Sequence, residues 1–233
     1  MLGIIGSLVL TAIIAYLWGS LPFGYLMGKL LRGKDFDIRD YGSHKIGATN
    51  VQRTLGTVPA IIVLVLDLSK GVGPTLLATL IPLLHGAGWG PAVAGLLALL
   101  GHCFPVFIGF KGGRGVLTGT GALIIISPLT FAISAVITLS TIAIWRYVSL
   151  GSVVGCLCTI ICGIIFYIVG LSHPTFFGAV SLAQLVFMIL APALVIGLHY
   201  DNIGRLLAGT ERKLGQKENI PSVRPGQSTS PNR

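Results

Sequence analysis

Long uncharged runs separated by short polar loops dominate the pattern along this chain. Residues 2–28 carry no charged side chain, and Lys29, Arg32 and Lys34 follow them. Further apolar runs cover 55–84, 91–110, 116–145 and 147–200, interrupted only by Asp67 and Lys70 inside the second and by a break at 171–174. A helix of about 20 apolar residues crosses the hydrocarbon core of a bilayer, so the runs are long enough to span. The first lacks the leading basic residue and the short apolar core of a signal peptide. It reads as an uncleaved helix with its N-terminus outside and residues 29–53 in the cytoplasm, because basic loops stay inside.

Parity then decides the middle of the chain. The charge-free turn 85–90, with Trp89, falls outside, and 91–110 returns to Lys111 and Arg114 inside. The tail after residue 200 is also basic, with Arg205, Arg212 and Lys213, yet three simple crossings would place it outside. Ser127-Pro128 sits midway in 116–145. Proline breaks the helical ladder and disfavours helix in the residue before it. The run is therefore expected to form a hairpin of two short helices that returns Arg146 to the cytoplasm. The expectation is an all-α, polytopic integral membrane protein of seven transmembrane helical segments, N-terminus outside and C-terminus cytoplasmic. Residues 1–220 form a single membrane-embedded domain, and 221–233, rich in polar residues and proline, read as a disordered tail.

Composition narrows the class. The 233 residues are 53% hydrophobic and 10% charged, with mean hydropathy +0.88. Soluble chains carry about 25% charged residues, so a soluble enzyme and bulk disorder are both excluded. Sixteen Lys and Arg against seven Asp and Glu give a net charge of +9. These charges cluster between apolar runs instead of forming the continuous basic face of a nucleic-acid binder, so no nucleic-acid partner is expected. Cys103, Cys156, Cys158 and Cys162 lie in apolar runs and read as packing residues, not as ligands or disulfides. No H-E-x-x-H metal signature and no H-x-x-x-x-D acyltransferase pair occurs, and no metal or other cofactor is expected.

Three polar, glycine-bearing clusters border spans on the expected cytoplasmic side. The first is residues 40–53, with Ser43, Thr49, Asn50 and Arg53. Its hydroxyls and amide could donate to a phosphate or oxyanion, or could cap the following helix. The second is Lys111-Gly112-Gly113-Arg114-Gly115. Glycines can let backbone N–H groups form an anion nest, and Lys, Arg and the next helix N-terminus add positive potential. It lacks the spacing of a Walker A loop. The third contains His199, Asn202 and Arg205, which share one face if the last span continues as a helix. Asp67 and Lys70 lie within a span, where ionisable groups are costly; a functional role and mutual pairing stay equally open. His85 and His102 read as helix-end residues without a catalytic role.

Together these motifs resemble the bacterial membrane glycerol-3-phosphate acyltransferases that use acyl phosphate as donor. The resemblance covers residues 1 to about 220. It rests on Gly19-Ser-Leu-Pro-Phe-Gly24, Gly47-Ala-Thr-Asn50, residues 101–107 leading into Lys111-Gly-Gly-Arg-Gly115, and His199-x-x-Asn-Ile-x-Arg-Leu-x-x-Gly-x-Glu211. Two departures stand out: His44-Lys45 replace the family's usual Gly-Asn, and Arg114 replaces its usual Lys. The resemblance implies a seven-helix bundle in the bacterial inner membrane with its site on the cytoplasmic face. The implied reaction is acyl transfer to the 1-hydroxyl of glycerol 3-phosphate. The implied partners are glycerol 3-phosphate, acyl phosphate, membrane lipids and the soluble enzyme that makes acyl phosphate. Ser43, Arg53, Lys111, Arg114, His199 and Asn202 would grip the two phosphates and polarise the carbonyl, with Ser149 and Ser152 adding to the glycerol-phosphate site. His199 is the candidate base, a task the substrate's own phosphate could also perform. The rival class is a small-anion transporter. It would need sites near the bilayer midplane, where only Asp67 and Lys70 qualify.

Overall fold

The computed structural model describes residues 3–216, so the expected tail at 221–233 lies outside the described residues. Within them, all regular structure is helical. The first apolar run forms two helices, α1 (Ile4–Gly19) and α2 (Phe23–Arg32), where one continuous span was expected. Pro22 causes the break, since it cannot donate to the helical ladder. The Leu21 carbonyl at the break instead accepts from Lys70 Nζ at 2.8 Å.

The loop after α2 leads into α3 (Ala48–Leu55), which stops at Gly56 with φ +99°. Next come α4 (Thr57–Leu80), the single turn α5 (Pro82–His85) and α6 (Gly90–Cys103). His85 Nδ1 accepts from the Gly88 N–H at 3.2 Å and so closes the turn between α5 and α6. The 116–145 run divides at Ser127 into α7 (Val116–Ile126) and α8 (Pro128–Trp145). Pro128 takes the first helical position, where a missing N–H costs nothing. Then α9 (Val148–Ser172) precedes α10 (Leu182–Gly197), whose start is held by a reciprocal Ser181–Gln184 capping box. Finally α11 (Tyr200–Leu207) turns 59° away from α10.

Five segments are each long and apolar enough to cross a bilayer: Ile4–Arg32 taken across its break, α4, Gly90–Ile108, α8 and α9. The bent α10–α11 pair makes a sixth, and α7 is apolar but shorter. Large apolar side chains such as Ile5, Leu139 and Leu171 face outward and are about two-thirds exposed or more, as suits a lipid solvent. The interior relies on small residues. A Cβ on Gly71 of α4 would collide with the Thr118 carbonyl of α7, and one on Gly121 of α7 with the Leu68 carbonyl of α4. This mutual close approach makes α4 and α7 a tight central pair. Helix α6 packs beside them and carries α1 on its outer side, while α9 joins α8 to α10.

Candidate functional site

A cavity of about 490 Å³ runs from the polar loops into the helix bundle. Ser43, Thr49, Asn50 and Arg53 line it from the first cluster, and Arg114 and Gly115 from the second. His199 and Asn202 line it from the third, and Ser149 and Ser152 from α9. Further in, Leu123, Phe131, Leu139 and Phe187 make an apolar wall. Its polar, basic mouth thus continues into a greasy extension.

Asn50 organises the first loop. It is 1% exposed, and its Nδ2 donates to the carbonyls of Ile38, Tyr41 and Lys45 at 3.1, 3.1 and 2.8 Å. Its Oδ1 accepts the Ser43 N–H at 2.9 Å. The alternative of a helix cap does not hold: Gly47 is the N-cap of α3, without a side-chain cap bond. The Asn50 amide is committed to shaping the loop, which sets Ser43 and Lys45 on the cavity wall. His44 has φ +56°. His is among the residues that tolerate this region better than most, and its Nδ1 bonds the Arg39 carbonyl at 2.9 Å. Arg39 in turn pairs with Asp37 at 2.6 Å and donates to the Ile108 carbonyl at 2.9 Å. Burial opposes ionisation of Asp37, but the Arg39 hydrogen bonds and charge outweigh it and lower its pKa.

The glycine loop differs from an anion nest. The N–H groups of Gly112 and Gly113 donate to the carbonyls of Cys103 and His102, both at 3.2 Å. Those two donors close the end of α6 and are not free for a phosphate. Both glycines pack so tightly that a Cβ would strike the His102 carbonyl or ring. Lys111 is exposed, and none of Lys111, Gly112 and Gly113 lines the cavity. Arg114 does line it, and its fork reaches two acceptors: the Leu198 carbonyl at 3.3 Å and Asp201 Oδ2 at 2.8 Å. The rigid guanidinium aims two fixed donors at once, where a lysine presents a rotatable point charge.

The last span does not continue straight through the third cluster. His199 stands at the bend as N-cap of α11, while Asn202 and Arg205 lie on α11 itself. His199 Nδ1 faces the Val195 carbonyl at 2.7 Å. A carbonyl only accepts, so Nδ1 carries the hydrogen and Nε2 keeps its lone pair. Glu211, absent from the sequence-based site, gathers the cluster. Its Oε1 accepts from Asn202 Nδ2 at 2.7 Å and Ser149 Oγ at 2.9 Å, and its Oε2 from Arg205 Nε at 2.7 Å. Arg205 therefore points at Glu211 and does not reach the cavity wall. Burial raises the Glu211 pKa, but the three hydrogen bonds prevail and hold it below the usual glutamate range. Ser152 Oγ donates to the Val148 carbonyl within its own helix at 2.9 Å.

Asp67 and Lys70 do pair, 2.9 Å apart and almost fully buried. Asp67 also lines the cavity, and so does His102, which the sequence reading had set aside as a helix-end residue. Its position as the penultimate residue of α6 hid the fact that the glycine loop folds back over it.

The family model for glycerol-3-phosphate acyltransferase matches residues 9–209. The glycerol-3-phosphate acyltransferase of Desulforamulus reducens is 40% identical over 212 residues, covering 90% of this chain and 96% of that one. Its counterpart from Shouchella clausii is 41% identical, with coverage of 91% and 98%. The crystal structure of PlsY, an integral membrane glycerol 3-phosphate acyltransferase, in its glycerol 3-phosphate form aligns with a TM-score of 0.76 at 37% identity. That alignment covers 90% of this chain and 96% of the other. The lysophosphatidic acid form of the same enzyme aligns with a TM-score of 0.73 at 36% identity.

Proposed function

Because this chain belongs to the glycerol-3-phosphate acyltransferase family, we propose that it moves a fatty acyl group from acyl phosphate to the 1-hydroxyl of sn-glycerol 3-phosphate. The products are 1-acyl-glycerol 3-phosphate (lysophosphatidic acid) and phosphate, the first step of phospholipid synthesis. The observation that carries this reading is one cavity that joins a basic polar mouth to an apolar extension. One end suits phosphate groups and the other a fatty chain.

The chemistry needs little from the protein. An acyl phosphate is a mixed anhydride with phosphate as leaving group. The acceptor hydroxyl attacks the acyl carbon, the bond from that carbon to the phosphate oxygen breaks, and the hydroxyl proton ends on the departing phosphate. Arg53 and Arg114, with Ser43 and Thr49, hold the phosphates and offset developing charge. Asn50 contributes by shaping the loop. Asn202 and Ser149, fixed by Glu211, orient the acceptor. The free Nε2 of His199 is placed to carry the proton in transit. Lys111, Gly112 and Gly113 act from outside the cavity: the glycines seat the loop that aims Arg114, and Lys111 adds long-range positive potential. Ser152 lies on the glycerol-phosphate wall beside Ser149.

The proposed topology has seven segments, counting α7 and the bent α10–α11 pair, in one membrane-embedded domain. The N-terminus lies outside, the C-terminus and the cavity mouth on the cytoplasmic side of the bacterial inner membrane. That side is where a soluble enzyme producing acyl phosphate would deliver it.

Purified protein in detergent, given radiolabelled glycerol 3-phosphate and acyl phosphate, should form labelled lysophosphatidic acid; no product would sink the reading. His199→Ala should lower kcat by about 10²–10⁴-fold if the imidazole carries the proton, and an unchanged kcat would return that task to the substrate phosphate. A cysteine introduced beside Arg146 should react with a membrane-impermeant reagent only from the cytoplasmic side.

A further inference from the structure

Beneath the glycine loop lies a group of buried charges that the proposed reaction does not use. Asp67 and Lys70 of α4 pair at 2.9 Å, and His102 of α6 stands with Nδ1 3.6 Å from the same carboxylate oxygen. All three are no more than 3% exposed, so they act on neighbouring protein and not on a ligand. A buried ion pair is seldom kept for stability, since apolar residues of like volume often serve as well or better. The contacts of this pair point to another use. Lys70 Nζ donates to the Leu21 carbonyl at 2.8 Å and lies 5.3 Å from the centre of the Phe23 ring. It thereby holds the break within Gly19–Gly24, a motif that does not line the cavity. The Asp67 carbonyl accepts from Thr118 Oγ1 of α7 at 3.0 Å. The cluster thus ties the α1–α2 break, α4, α6 and α7 together.

Arg114 is fixed from both sides by the end of α6. Before it, the Gly113 N–H donates to the His102 carbonyl at 3.2 Å. Gly113 also lies so close to the His102 ring that a Cβ there would strike Nε2. After it, Gly115 has φ +80° and packs against Leu99 and Cys103 of the same helix. The His102 ring therefore bridges two things: its Nδ1 edge faces Asp67, and its Nε2 edge supports the loop. A turn of that ring would pass straight to the backbone carrying Arg114. Displacing a binding group by about 1 Å can cost roughly 10²-fold.

We propose that His102 is a positioning residue for Arg114, with the Asp67–Lys70 pair as the anchor that keeps its ring in place. The proposal rests on Arg114 holding a substrate phosphate. The carboxylate sets which edge of the ring meets the loop, and Lys70 lets that carboxylate stay ionised inside the bundle. The Gly19–Gly24 motif then serves the site at a distance, by giving Lys70 its carbonyl and ring contacts.

The test is a double-mutant cycle between His102 and Arg114. Its readout is calorimetric binding of glycerol 3-phosphate, and of inorganic phosphate, to purified protein without acyl donor. His102→Ala should weaken glycerol 3-phosphate binding by about tenfold, and Arg114→Ala by at least as much. The variant with both changes should bind no more than about twofold worse than Arg114→Ala alone, because no guanidinium is left to aim. Losses that multiply, as for a histidine that is merely structural, overturn the proposal. So does a folded His102→Ala protein with wild-type binding, and so does a wild type that binds neither anion. If His102→Ala does not fold, Asp67→Leu/Lys70→Met takes its place in the cycle with the same expectation, since it removes both charges together. Coupled binding without any acyl transfer would instead break the reaction assigned above and leave the positioning role standing.

Discussion

The loops at 38–50 and 199–211 face one cavity, and each is gathered around a single side chain, but the two hubs work differently. Asn50 is neutral and bonds four backbone groups. Glu211 is charged and bonds three side chains, those of Ser149, Asn202 and Arg205. An amide hub fixes the path of a loop and is indifferent to which side chains that loop displays. A carboxylate hub fixes the side chains themselves and works only while ionised. The first loop therefore holds its path whatever side chains stand at 44 and 45.

The largest effect should come from giving the first hub the character of the second. Asn50→Asp would aim a buried anion at three carbonyl oxygens in place of a donor. Unsatisfied carbonyls and an unpaired buried charge should cost at least about 3 kcal/mol. The variant should aggregate or melt well below wild type in a detergent thermal-shift assay; an unchanged Tm would dissolve the distinction between the hubs. Next in size is Glu211→Gln, which keeps the shape but loses the charge and turns one acceptor into a donor facing Arg205 or Asn202. Charge-assisted hydrogen bonds are worth about 1.5–3 kcal/mol, so kcat/KM should fall roughly tenfold or more in a protein that still folds.

Acid sharpens the comparison further. Glu211 titrates below its ordinary value of 4.5, so its stabilisation is complete above that value and drains away as pH falls through the lowered pKa. Wild type should lose more stability on acidification than Glu211→Gln does. Equal losses in the two proteins would show that the carboxylate is not the titrating hub. Asp37, likewise lowered, contributes equally to both and cancels. The smallest effect belongs to His44→Gly. Glycine relieves the positive φ, worth about 1 kcal/mol, but forfeits the bond to the Arg39 carbonyl, worth about as much. Tm and kcat/KM should therefore stay near wild type; a large change would mean that the identity of this side chain, and not the loop path, matters.

Much of the architecture was written in one dimension. Apolar runs too long for a soluble fold dictate spanning helices, because lipid offers no partner for an open backbone. The division at Ser127-Pro128 was legible because proline acts locally, and the polar clusters could be named because few polar residues interrupt this chain. What a linear reading misjudged were matters of direction. Pro22 splits the first run as Pro128 splits the fourth, yet the uncharged stretch around it hid the break. Asn50 was legible as a polar residue near a helix start, but its choice of loop carbonyls over a cap depends on where the chain from 38 to 45 comes to lie. The glycines at 112 and 113 spend their N–H groups on the end of α6, which only the fold brings within reach. His102 and Asp67 meet because α4 and α6 pack side by side, and Glu211 gathers residues from α9 and α11. Hydropathy is a property of neighbours in sequence and survives any fold; hydrogen-bond partnership belongs to neighbours in space, and here the tertiary structure alone decided it.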